Sequence, residues 1–123
     1  MDNWLLIAAA AMSLFGMIFH GVVGAKIYMG NINNSDMQAL TKSLSLGSWH
    51  MFTIMLFVGA VGFFYVANNQ GDVVLAYPLI AMNGLGAVLF IFFGLGKQHR
   101  QLLTMPGAYL MASTAVLGWL GIS

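Results

Sequence analysis

Four long apolar runs, parted by three short polar breaks, leave this chain few ways to fold. A helix needs about 20 apolar residues to cross a bilayer core, and the runs at about 4–29, 47–67, 73–96 and 102–122 all reach that length. Charged residues make up 6% of the chain and mean hydropathy is +0.87, against about a quarter charged in soluble domains. The fold expected is an all-α membrane protein, one domain over residues 1–123, with four transmembrane helices in an antiparallel bundle. Asp2 stands where a signal peptide would carry basic residues, and the first run exceeds the usual apolar stretch of such a peptide, so it reads as a retained helix. Pro78 and Pro106 fall in the first turns of the third and fourth helices, where a missing N–H is tolerated.

The three breaks differ in chemistry. Gly30-Asn31-Ile32-Asn33-Asn34 has turn composition, and Ser35 with Gln38 three residues on matches a capping box. Met37, Leu40 and Leu44 then recur at helical spacing opposite Gln38, Thr41, Lys42 and Ser45. A short interfacial helix is therefore expected between helices one and two, ending where Gly47 turns the chain inward. Asn68-Asn69-Gln70-Gly71-Asp72 is a tight turn that makes helices two and three neighbours. The third break, Lys97-Gln98-His99-Arg100-Gln101, is a basic elbow.

All four cations fall on one side: Lys26 and Lys42 flank the first break, and Lys97 and Arg100 lie in the third. The positive-inside rule then places a multi-pass protein in a bacterial-type inner membrane with both termini outward. The same bias argues against dual-topology families such as small multidrug transporters and fluoride channels. A net charge of +1 is too small for nucleic-acid binding. The chain has no Glu and no Cys, which removes paired membrane carboxylates and thiolate metal sites, and no catalytic role is evident.

Glycine recurs in every helix, including Gly16, Gly21, Gly24, Gly59, Gly62, Gly84, Gly86, Gly118 and Gly121. Small residues let helix backbones approach where lipid supplies no hydrophobic drive. Asn83, mid-helix, is expected to face inward and bond across helices. His20 precedes Lys26 by six residues, a rise of about 9 Å, and His50 lies within a turn of Gly47, so both fall at comparable depth on consecutive helices. Gly16, His20 and Gly24 are spaced i, i+4, i+8, a stripe with room for something bulky.

Two such histidines suit three roles: hydrogen-bonded packing with Asn83, Ser48 or Thr53, a metal site, or axial ligation of a haem b iron with Gly16 and Gly24 admitting the porphyrin and Lys26, Lys97 and Arg100 meeting its propionates. Two ligands alone make a poor zinc site. The ten methionines lack the spaced array of a copper site and read as packing. His99 is expected to be solvated or near headgroups, and Trp4, Trp49, Trp119, Tyr28, Tyr65, Tyr77 and Tyr109 read as interfacial anchors.

Gly16-Met17-Ile18-Phe19-His20 with Gly24, followed by Trp49-His50 at the start of helix two, resembles a loosely defined family of small bacterial four-helix membrane proteins without an established reaction. The resemblance spans most of the chain and implies the four-helix architecture. Where that pattern carries Ser and an acidic residue, this chain has Gly21 and Ala25. The leading expectation is an accessory subunit or self-assembling module, homo-oligomeric or part of a membrane complex, with lipids as its other partners. A haem- or metal-binding redox module using His20 and His50 is the alternative, and a small pore lined by Asn83, Thr53 and Ser113 the third.

Overall fold

The computed structural model describes residues 2–123, which are mostly helical and include no strand. Helix α1 covers Asn3–Ile18 and passes without a break into a π-helical segment, Phe19–Met29, and a last short turn, α2, Gly30–Asn33. Helix α3 covers Ala39–Asn68, a 3₁₀ turn covers Gln70–Leu75, and α4 covers Ala76–Gly94. A second 3₁₀ segment, Arg100–Thr104, leads into α5, Pro106–Ile122, with Pro106 at its first turn. Three continuous stretches, Asn3–Asn33, Ala39–Asn68 and Gln70–Gly94, are long and apolar enough to cross a membrane, while α5 is shorter at 17 residues.

The separate interfacial helix does not form. Residues 39–68 make one 30-residue helix that runs straight through Gly47. A glycine inside a helix costs only about 1 kcal/mol, too little to break a run of good helix formers. No glycine among the described residues has a positive φ. The expected capping box is also absent: Ser35 Oγ donates to the Ile32 carbonyl at 2.5 Å, closing the end of α2. Gln38, with an extended ψ of 149°, is the residue that precedes α3.

Helix α1 packs between α3 and α5, and α4 packs on α5. Ser13 meets Leu56, His20 meets Thr53 and Gly24 meets Trp49 along the α1–α3 seam. Gly121 meets Leu6, and Tyr28 meets Met105, at opposite ends of the α1–α5 seam. The two ends of the molecule differ in solidity. Near the N-terminus, Leu6, Ala9, Ala10, Phe63, Val66, Ala67 and Ala76 form a closed core. Glycine sets its density, because a Cβ on Gly118 would stand 2.7 Å from Phe63 Cε1 and one on Gly62 2.5 Å from Leu79 Cδ1. Most of the helical glycines thus meet side chains of their own chain, as close helix packing requires.

Polar groups close this end. The Asp2 N–H donates to the Gly121 carbonyl at 2.9 Å, Gln70 Nε2 donates to Asn3 Oδ1 at 2.9 Å, and Tyr65 Oη donates to Asp72 Oδ2 at 2.8 Å. The opposite end carries the basic elbow, and there the helices enclose a cavity.

Candidate functional site

A cavity of about 390 Å³ lies between α1 with its π segment, α3, α4 and α5. The first wall explains its shape. Met12, Gly16, His20, Gly24 and Tyr28 all line it, a stripe with a strict spacing of four. In an α-helix each residue turns about 100°, so Met12 and Tyr28 would stand about 160° apart and look nearly opposite ways. The i→i+5 bonding of Phe19–Met29 widens the turn and cancels that drift. The π segment is what keeps five residues spread over about four turns on one face.

His20 is fixed on three sides. Its ring lies parallel to the Trp49 indole, with centroids 4.1 Å apart and planes at 11°, and meets Phe52 edge-on at 5.0 Å. Nδ1 is 2.9 Å from Thr53 Oγ1, which also lies 3.4 Å from the Trp49 carbonyl. When Thr53 donates to that carbonyl, Nδ1 carries the imidazole hydrogen and Nε2 keeps its lone pair; when Thr53 donates to Nδ1, Nε2 carries the hydrogen. Trp49 Nε1 donates to the His20 carbonyl at 2.9 Å, locking the pair a second time. Two glycines make the contact possible: a Cβ on Gly21 would be 2.7 Å from Thr53 Cγ2, and one on Gly24 2.9 Å from Trp49 Cζ2.

The deep end of the cavity is polar, and most of what it offers is acceptors. Ser13 Oγ donates to the Leu56 carbonyl at 2.7 Å, Thr114 Oγ1 to the Leu110 carbonyl at 2.8 Å, and Asn83 Nδ2 to the Leu79 carbonyl at 2.9 Å. These three side chains are the buried polar residues, and all line the cavity. With both hydroxyl hydrogens and one Asn83 amide hydrogen turned onto helix carbonyls, the hydroxyl lone pairs, Asn83 Oδ1 and the second Asn83 amide hydrogen remain for an occupant. Between the two polar zones the wall is apolar, from Phe19, Phe52, Leu56, Phe90, Leu110 and Met111. Gln98, His99, Gln101, Leu102 and Met105 form the rim on the basic elbow.

Several sequence expectations change at this point. His50 is half-buried but does not line the cavity, and neither do Lys26 or Arg100. The histidine that joins His20 on the cavity wall is His99, whose ring meets Phe93 edge-on at 6.3 Å. Space over Gly24, where a porphyrin would have entered, is filled by Trp49, and Leu56 methyls stand 3.8 and 3.9 Å from a Cβ at Gly16. A haem held between His20 and His50 therefore does not fit the residues present. No group of three His, Cys, Asp or Glu side chains suited to a metal exists among the described residues. Asn83 is buried as expected, yet its bond is to its own helix rather than across helices. Ser113 faces outward, and Thr114 takes the inward position on α5. Trp4 and Trp119 are exposed, as anchors would be, whereas Trp49 is half-buried against His20.

No family model, curated protein or solved structure matches this chain.

Proposed function

We propose that the chain spans a bacterial-type inner membrane as an antiparallel four-helix bundle, both termini outward, and binds a small apolar molecule that carries a hydroxyl or amine hydrogen. Three stretches of spanning length and the grouping of all four cations at one end support the membrane placement. The observation that carries the binding reading is the polarity of the cavity wall. Asn83 Oδ1 and the Ser13 and Thr114 oxygens are acceptors, with both hydroxyl hydrogens spent on helix carbonyls, and in the tautomer with Nδ1–H the His20 Nε2 lone pair joins them. An apolar pocket of several hundred cubic ångströms with a few convergent polar groups is the usual form of a small-molecule site. In low dielectric an unpaired acceptor costs free energy, so a ligand hydrogen has more to gain here than in water. The role is binding, and nothing in the lining constitutes a nucleophile with its base.

The test is native mass spectrometry of the protein released from mild detergent, compared with Gly16→Leu. A Cβ at Gly16 meets only Leu56 methyl groups, so the longer side chain grows into the cavity. Wild type should carry a non-covalent adduct that dissociates as a molecule with an exchangeable hydrogen, and the variant should lose it. An adduct retained equally by Gly16→Leu, or wild type from native membranes with no adduct, would refute the reading.

A further inference from the structure

Residues 96–105 form a strap whose two faces have different chemistry. Backbone bonds from His99 N to Gly96 O, Leu102 N to His99 O and Met105 N to Leu102 O follow one another at i→i+3. With three residues per turn, side chains three apart share a face. His99, Leu102 and Met105 line the central cavity. Lys97, Arg100 and Leu103 face the other way and line a separate cleft of about 300 Å³ with Gly94 and Leu95. Gly94 lets the strap fold back on α4, since a Cβ there would stand 2.6 Å from Leu103 Cδ2.

We propose that this cleft binds the headgroup phosphate of an anionic phospholipid, with Lys97 and Arg100 on the phosphate and the acyl chain over Leu95 and Leu103. The proposal rests on the membrane placement above but not on the central cavity. Two cations line the cleft and no carboxylate does. Of the three carboxylates, Asp2 and Asp72 lie at the far end of the molecule, bonded to Gly121 and Tyr65, and Asp36, in the break before α3, does not line the cleft. Leu95, 73% exposed beside the cations, gives the cleft an apolar floor that a free phosphate would not use. A charged rim over an apolar floor matches a phospholipid, whose anionic group and hydrocarbon are covalently joined. Lys42 differs: its ammonium already donates to the Asn33 carbonyl at 2.9 Å.

The experiment places the protein in nanodiscs of equimolar phosphatidylcholine and phosphatidylglycerol and reads the lipids retained on ejection into a mass spectrometer. Phosphatidylglycerol should be enriched by about fivefold for each cation engaged. Lys97→Gln with Arg100→Gln should abolish the enrichment, Lys97→Arg should keep it, and Lys26→Gln should leave it unchanged. Circular dichroism of the double variant confirms that it has folded. Equal retention of the two lipids, unchanged enrichment in the double variant, or displacement of the lipid by millimolar inorganic phosphate would overturn the proposal. Should the wild type fail to enter nanodiscs or float with membranes, the membrane placement itself falls; integration without headgroup selectivity removes only this site.

Discussion

The imidazole of His20 lies flat on the indole of Trp49, ring centroids 4.1 Å apart, while the same indole N–H returns a 2.9 Å bond to the His20 carbonyl. Stack and bond together pin the start of the π segment to α3. His20→Ala removes the stack and leaves Thr53 Oγ1 without its imidazole partner. Aromatic pairs contribute about 0.5–1.5 kcal/mol beyond area, so a loss of about 1 kcal/mol is expected in reversible detergent unfolding, together with a shift of Trp49 emission. An unchanged midpoint and spectrum would show that the pair does not form.

Glycine substitutions should separate by position. Gly118→Ala places a methyl 2.7 Å from Phe63, which is fully buried and cannot yield, and overpacking costs about 1–3 kcal/mol. Gly47→Ala meets nothing within 4 Å and removes a helix-interior glycine, a gain of up to about 1 kcal/mol. Unfolding titrations that show equal effects at the two positions would contradict the packing at the N-terminal end.

Much of this arrangement was legible in the sequence, and the gaps have definite causes. Apolar run length located every long helix, and Pro106 marked the start of α5 because its missing N–H fits a first turn. Gly47 misled because glycine punctuates only where the backbone needs it, and in α3 the helical hydrogen bonds outweigh its cost. The stripe Gly16, His20, Gly24 was visible, but its partner was assigned by depth alone, which drew attention to His50. Depth does not fix which face of α3 a residue occupies; Trp49 and Thr53, four apart, point at α1. The π segment had no signal in the sequence, since positions four apart occur in any chain and only the cavity lining singles out Met12, Gly16, His20, Gly24 and Tyr28. His99 escaped because a basic elbow reads as solvated until its 3₁₀ bonds reveal two faces.

Buried hydroxyls should also differ from exposed ones. Ser13→Ala removes a 2.7 Å bond across helices and should cost about 0.6 kcal/mol, the mean for interhelical hydrogen bonds in membranes. Ser113→Ala, on the outward face, should leave unfolding unchanged. A larger effect at Ser113 would reverse the assignment of the two α5 faces.

The proposed orientation rests on the placement of Lys26, Lys42, Lys97 and Arg100. A cysteine introduced at Asn69 should react with an impermeant maleimide added to intact cells, and one at Gln98 should react only after permeabilisation. The opposite labelling pattern would invert the topology.

Binding of a hydrogen-donating apolar molecule beside His20 is tested most directly by Trp49 itself. With Trp4 and Trp119 changed to Phe, Trp49 is the sole indole and lies on the cavity wall. Titration with 6-bromo-2-naphthol, a heavy-atom quencher bearing a hydroxyl, should quench it saturably, whereas the methyl ether should quench only in proportion to its concentration in the detergent. A companion protein retaining Trp119 alone should show the proportional response to both. Saturable quenching by phenol but not ether is the predicted result; identical, proportional quenching of Trp49 by the two compounds would contradict the account.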